Sequence, residues 1–189
     1  MHICMALRQI LTEPNKILRE KSSLVEKVDG DLQKLMDDML ETMYAAPGIG
    51  LAAIQVGVPK RVIVLDIGWR DKSESPNDKR YEERRNPMYF INPEIIEKST
   101  NNFTYEEGCL SVPGQFAEID RPDKCHVKYL DYYGQPKEIK AEGMLATCIQ
   151  HEIDHLEGIL FIDYLSKLKK SMIVKKLSKH QKEIERIVV

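Results

Sequence analysis

Gly143-Met144-Leu145-Ala146-Thr147-Cys148-Ile149-Gln150-His151-Glu152-Ile153-Asp154-His155-Leu156-Glu157-Gly158 is the stretch from which the rest of the chain can be ordered. Leu145, Ile149, Glu152 and Leu156 recur at steps of four, three and four, the period of one helix face, and Gly158 supplies a stop. His151 and His155 stand four apart, about one turn, so both imidazoles can reach one metal ion. Glu152 follows the first histidine, which places its carboxylate beside water at the metal rather than on the metal, where it can act as a general base. It also interrupts an apolar stripe, and a carboxylate buried there is costly unless something satisfies it. The plainer alternative is a solvated helix face that happens to carry two histidines.

Outward from this helix, an N-terminal helix is marked by Leu32, Leu35, Met36, Met39, Leu40 and Met43, with Asp29 or Asp31 as its cap. Its methionines read as core gap-fillers. Pro47-Gly48-Ile49-Gly50 ends it, since proline cannot continue the ladder and the glycines permit positive φ. Arg61–Ile67 is a β-branched strand run. His126–Asp131 and Lys137–Lys140 flank Tyr133-Gly134-Gln135-Pro136 as a hairpin. Residues 69–90 contain 11 charged residues in 22 and read as a solvated surface loop. Strands and helices mix without βαβ alternation, so the expected class is α+β, closed by a C-terminal helix.

Length and charge narrow the function classes. The chain has 189 residues and a formal charge of −2, enough for one domain with a sizeable core and without a global basic field for DNA. No apolar run approaches the ~20 residues of a membrane span, and the start, Met1–Arg8, lacks the pattern of a signal peptide, so a cytoplasmic location is expected. Residues 166–189 carry eight Lys or Arg against two Glu, a balance of +6 that leaves −8 for the remainder. The expected division is therefore a catalytic part, 1–165, and a basic helical tail, 166–189. Four cysteines, Cys4, Cys109, Cys125 and Cys148, are too few and too scattered for a disulfide framework.

A catalytic metal with two histidine ligands needs a third protein ligand. A metzincin continuation would put histidine at position 161, which is Phe161. A later glutamate, Glu183 or Glu185, is a second source. A cysteine is the third: Cys148 lies about 10.5 Å along the helix from His155, an awkward span for one ion, whereas Cys109 sits in the irregular context Glu106-Glu107-Gly108-Cys109-Leu110-Ser111-Val112-Pro113.

Three separated blocks, Gly48-Ile49-Gly50-Leu51-Ala52-Ala53-Ile54-Gln55-Val56-Gly57, Glu107-Gly108-Cys109-Leu110-Ser111 and Gln150–Gly158, together resemble the signature of the bacterial peptide deformylases, over about residues 12 to 165. The resemblance implies mainly antiparallel sheets packed around the central helix that carries the two histidines. It implies one divalent metal on Cys109, His151 and His155, ferrous iron in cells, with zinc, nickel or cobalt also accepted by a thiolate and two imidazoles. It implies that Glu152 is the general base and acid, and that Gln55 and the Leu110 backbone N–H stabilise the oxyanion. Gly50 would contact the substrate backbone, and Ile49 and Cys148 would line a slot for methionine. The substrates implied are nascent chains that begin with N-formylmethionine; the products are formate and a free amine. Asp154 would fix local structure.

Two features stand apart from the family pattern. The charged stretch 69–90 is long, and Gln115-Phe116 replaces a basic residue common in similar sequences, which leaves Arg121 as the nearby charge for the downstream substrate backbone. The basic tail is either a solvated helix end or a dock on the ribosome. Two other classes remain: a metallopeptidase that uses Glu183 or Glu185, and a metal-binding module without catalysis.

Overall fold

A computed structural model describes residues 6–68 and 85–187 of the chain, with side chains through residue 179. The helix α1 (Gly30–Ala45) starts where the Asp29 side chain accepts a hydrogen bond from the Leu32 amide, 3.1 Å. Strands β1 (Gly50–Ala52) and β2 (Val62–Leu65) follow, then β3 (Met88–Lys98), the long pair β4 (Asn102–Cys109) and β5 (Val112–Pro122), and the hairpin β6 (Lys124–Leu130) and β7 (Pro136–Glu142). Helix α2 (Gly143–Leu156) carries both histidines, and α3 (Lys167–Ile187) closes the described chain. Short 3-10 turns occupy Lys16–Arg19, Ala53–Val56 and Phe161–Tyr164. Among the described residues no helix is long and apolar enough to cross a membrane.

Five strands form one antiparallel sheet in the order β1-β2-β3-β6-β7, and β4 pairs only with β5. The two helices α1 and α2 grip opposite faces of the larger sheet. Alternate residues of β2 show this: Val62 and Val64 pack with Met36, Met39 and Met43 of α1, while Ile63 and Leu65 pack with Ile149, Ile153 and Leu156 of α2. A strand covered on both sides has no solvent face, which is why Val62-Ile63-Val64-Leu65 is a continuous apolar run, fully buried. The methionines of α1 are fully buried core, as their spacing indicates. Beyond α2, the inner face of the β4–β5 hairpin packs its Val112 and Ile119 against Phe161, Ile162 and Leu177.

Several expectations need adjustment. Residues 69–84 of the charged stretch lie outside the described residues, but Met88, Tyr89 and Phe90 are not loop: they open β3 and pair with Leu65, Val64 and Ile63. The hairpin β4–β5 was not legible as two strands. Gly48 and Gly50 do not adopt positive φ; their lack of side chains serves close approach instead, as the site shows.

The basic C-terminal helix is docked on the domain through Leu177, which is 6% exposed. Leu177→Ala removes about 2–3 kcal/mol of stability by opening a cavity under the hairpin, measured as a lowered denaturation midpoint with the slope unchanged.

Candidate metal centre

Helix α2 runs between the five-stranded sheet and the hairpin, so its buried positions face two different surroundings. Ile149, Ile153 and Leu156 meet the apolar sheet. His151, Glu152 and His155 turn toward the end of the hairpin, where β4 stops at Cys109. Cys109 Sγ lies 3.2 Å from His155 Nε2. One donor atom each from Cys109, His151 and His155 falls within a 4.8 Å group, the only such cluster among the described residues. Cys148 is apart from it. Burial pushes the Cys148 thiol up to about 12, with the charge of Glu152 adding to the shift, which suits an apolar wall and not a thiolate ligand.

The surroundings of each ligand set its orientation. His151 Nδ1 faces the Glu107 carboxylate at 2.8 Å, which makes Nδ1 the protonated nitrogen and leaves Nε2 for the cluster. Glu107, 6% exposed, is held in turn by Arg121, whose guanidinium also donates to Asp154 Oδ2 at 2.7 Å. Asp154 accepts from Tyr164 Oη as well, at 2.8 Å, so it fixes local structure as expected. Around the sulfur, Ser111 N–H points to Cys109 Sγ at 3.4 Å and Gln55 Nε2 to the same atom at 3.6 Å. Gln55 is 1% exposed; its carbonyl accepts from the Ala52 amide at 2.8 Å and its NH2 reaches Ser111 Oγ at 3.0 Å, so it is no surface amide.

The donor set fits a divalent cation. A thiolate and two imidazoles on rigid elements leave a further coordination position open. The local charge also asks for one. Although burial opposes it, hydrogen bonds from Cys109 and Glu107, with the charges of Cys109 and Glu152, hold His151 well above the ordinary histidine range. Burial, with the charge of His151 behind it, pushes His155 well below that range. The negative groups that keep a proton on His151 favour a metal ion in its place.

Glu152 completes the geometry. It is 5% exposed, and its Oε2 has no hydrogen-bond partner among the described residues. Burial pushes its carboxyl up to about 7, with Glu107 adding and His151 opposing. Its other oxygen occupies the space a side chain at Gly50 would fill: a Cβ there would stand 2.5 Å from Oε1. Gly50 is thus glycine because the carboxylate passes beside it. Gly48 is matched in the same way by the Leu110 side chain, 2.7 Å from where its Cβ would lie. The first and second blocks therefore face each other across the site. Ile49 and Cys148 fall in one apolar cluster with Ile67, Met88 and Leu145. The Leu110 amide donates to no protein acceptor among the described residues.

One expectation is overturned. Arg121 is 4% exposed and engaged by Glu107 and Asp154, so it supplies no free charge to a substrate backbone. It braces Glu107, the partner of His151, instead. Glu107 and Ser111 were not assigned roles in the site from the sequence, and Arg121 was assigned a different one. A signal was present in Glu107 and Arg121, two charges at inward-facing positions of otherwise alternating strands.

Comparison with known proteins agrees with this architecture. Residues 7–171 match the family model of polypeptide deformylase. The peptide deformylase of Pelagibacter ubique is 63% identical over 175 residues, covering 93% of this chain and 95% of that one. That of Maricaulis maris is 57% identical over 182 residues, covering 96% and 98%. The crystal structure of the Ehrlichia chaffeensis peptide deformylase in complex with actinonin superposes with a TM-score of 0.83 at 45% identity, covering 93% and 98%.

Glu107→Gln keeps the shape but removes the charge that orients His151. Metal affinity falls about 10- to 100-fold, measured by equilibrium competition with a chromophoric chelator.

Proposed function

The chain belongs to the peptide deformylase family, and from that premise we propose how its own residues carry the reaction. The enzyme is a metal-dependent hydrolase that removes the formyl group from formylated peptides. The observation that carries the residue assignment is the buried Glu152 carboxylate, whose Oε2 has no partner among the described residues, beside the Cys109, His151 and His155 cluster. Those three residues would hold the ion, and a bound divalent cation supplies Lewis acidity and a more acidic water near neutral pH. Ferrous iron is the proposed ion in cells, with zinc, nickel or cobalt able to take the same donors.

Glu152 takes the proton of the attacking water and passes it to the departing amine nitrogen as the C–N bond breaks, which yields formate and a free α-amine. The charge that develops on the formyl oxygen meets two protein donors, the Gln55 side-chain amide and the Leu110 N–H. Gln55 is suited to this because its carbonyl is anchored on Ala52, which fixes the direction of its NH2.

The substrate backbone has a prepared edge. β1 is the outermost strand of its sheet. Asp66 N–H donates to Ile49 O, so Ile49 and Leu51 hydrogen-bond toward β2 and Gly50 turns outward. An extended peptide can add there as a further strand, with its first side chain among Ile49, Cys148 and Leu145. The Acinetobacter baumannii peptide deformylase, 34% identical with a TM-score of 0.73, has been crystallised with Met-Ala-Ser bound, which supports a peptide that begins with methionine as the product. N-formylmethionyl nascent chains are the proposed substrates, and the cytoplasm the proposed location.

The proposed division is a catalytic part, 1–165, and a basic C-terminal helix/tail, 166–189, that contacts the ribosome. Deletion of the helix is a poor test of that contact, since Leu177 belongs to the core. Charge reversal of the exposed Lys169, Lys175 and Lys176 is the better one: it abolishes salt-sensitive co-sedimentation with ribosomes and leaves the denaturation midpoint in place.

Formate release from formyl-Met-Ala-Ser by protein loaded anaerobically with iron tests the chemistry. Glu152→Gln keeps the metal and loses about 10²- to 10⁴-fold in kcat, whereas Cys109→Ala loses the metal itself. Full activity in Glu152→Gln would remove the carboxylate from the mechanism.

A further inference from the structure

The two donors assigned to the oxyanion come from different parts of the fold: Gln55 follows β1, and Leu110 sits in the turn between β4 and β5. One stretch of chain touches both. Residues 6–12 run without regular secondary structure. Leu11 N–H donates to the Gln55 carbonyl at 2.7 Å, and two residues later Glu13 N–H donates to the Ser111 carbonyl at 2.8 Å. The segment thus ties the Gln55 backbone to the turn that presents the Leu110 N–H. Its far end is fastened to α1, where Ala6 N–H donates to Asp38 Oδ1 at 3.0 Å and Arg8 N–H to Thr42 Oγ1 at 2.9 Å, both on buried residues. Its near end is held by Glu13 itself. The buried Glu13 carboxylate pairs with Arg19 Nη2 at 3.2 Å, and Asp163 holds Arg19 through Nη1. This anchor is referenced to the helix that carries both histidines. Ser22 N–H donates to Leu156 O at 2.8 Å, and the Arg19 carbonyl oxygen lies 2.5 Å from where a Cβ on Gly158 would stand.

We propose that Glu13 is a positioning residue for deformylation: through its ion pair with Arg19 it fixes the segment that sets the separation of the Gln55 side-chain amide and the Leu110 N–H. The inference rests on the deformylase reading given above. A buried carboxylate is a costly way to fill space, and a buried ion pair often stabilises a fold no better than apolar side chains of the same volume. What the pair adds here is direction. Gln55 and Ser111 already meet through their side chains, at 3.0 Å. The 11–13 backbone adds a second reference, so that both donors stay where one developing oxyanion can meet them. Without the Glu13 anchor that backbone is free to shift, and the two donors shift with it.

The test is a double-mutant cycle on formyl-Met-Ala-Ser with iron-loaded parent, Glu13→Ala, Gln55→Ala and the two changes combined, with kcat counted per bound iron. Glu13→Ala loses about 10- to 100-fold in kcat, with KM and iron content unchanged. In the Gln55→Ala background the same change costs about twofold or less, because a separation between two donors has no meaning once one is gone. Glu13→Gln keeps the shape and can still accept from Arg19. It gives a smaller loss in the same cycle and preserves the comparison if the alanine variant does not fold. A loss of equal factor in both backgrounds overturns the proposal, since Glu13 then supports the fold and not the donor pair. So does an unchanged kcat in Glu13→Ala, or a loss carried by KM. A Gln55→Ala enzyme as fast as the parent removes Gln55 from the oxyanion and overturns the positioning drawn from it. Absence of formate with iron-loaded parent is a different failure, that of the deformylase reading itself.

Discussion

The hydrogen-bonded ion pair between Glu107 and Arg121, with His151 on its other side, is the interaction on which the site depends. It joins β4 to β5, and through His151 Nδ1 and Asp154 it joins both strands to α2. Breaking such a buried pair by removing one partner leaves an uncompensated charge, far costlier than the pair itself is stabilising. The arrangement also has a charge balance that points one way. Glu107 and Asp154, joined by Glu152 and Cys109 when those are deprotonated, put negative charge around one permanent cation, Arg121. Taken without further positive charge, the group would repel itself in a poorly solvated space. A divalent ion held by Cys109, His151 and His155 would relieve much of that imbalance, so the local charge favours a cation there.

The helical parts of this architecture were legible because they are local. The stripe from Leu32 to Met43 and the one from Leu145 to Leu156 each report a single buried face, and both helices occupy the expected positions. β2 was legible for a related reason, since burial on both faces leaves no polar residue to interrupt it. The hairpin β4–β5 was not. Its inward positions include Glu107 and Arg121, so the alternation of apolar and polar residues that normally marks a half-buried strand is broken where the strand does its work. A charged residue in an inward register reads as a loop until its partners are known. Those partners lie 44 residues away at His151 and 33 away at Asp154.

The glycines show the same gap between local and long-range causes. In Pro47-Gly48-Ile49-Gly50 a turn with positive φ was the natural expectation, because glycine most often acts through its own backbone. The structure gives Gly50 a different cause: the carboxylate of Glu152, about a hundred residues later, occupies the volume of its missing side chain. Likewise Gln55, unremarkable after two alanines, is a site residue because Ser111 and Cys109 from another sheet reach its amide. Sequence blocks named these residues through family resemblance. Tertiary contacts supply the reasons.

A candidate metal centre built from two separate units raises the question of what holds the units in place. Cys109 ends a hairpin that belongs to a different sheet from the one packed on α2, and it stands 46 residues from His155. If the ion alone joined them, the site would form only as it was filled, and metal loss would release the hairpin. Two tethers flank the cluster instead. On one side Arg121 and Glu107 grip Asp154 and His151. On the other, Val112 and Ile119 pack on Phe161, Ile162 and Leu177. The hairpin is therefore fixed to α2 by protein contacts alone, and Cys109 is presented to the histidines without help from the ion. Binding energy from a metal held there would then go into affinity and Lewis acidity more than into folding. Donors set by the fold itself would hold a divalent cation at Cys109, His151 and His155 and let it supply Lewis acidity toward water and the formyl group.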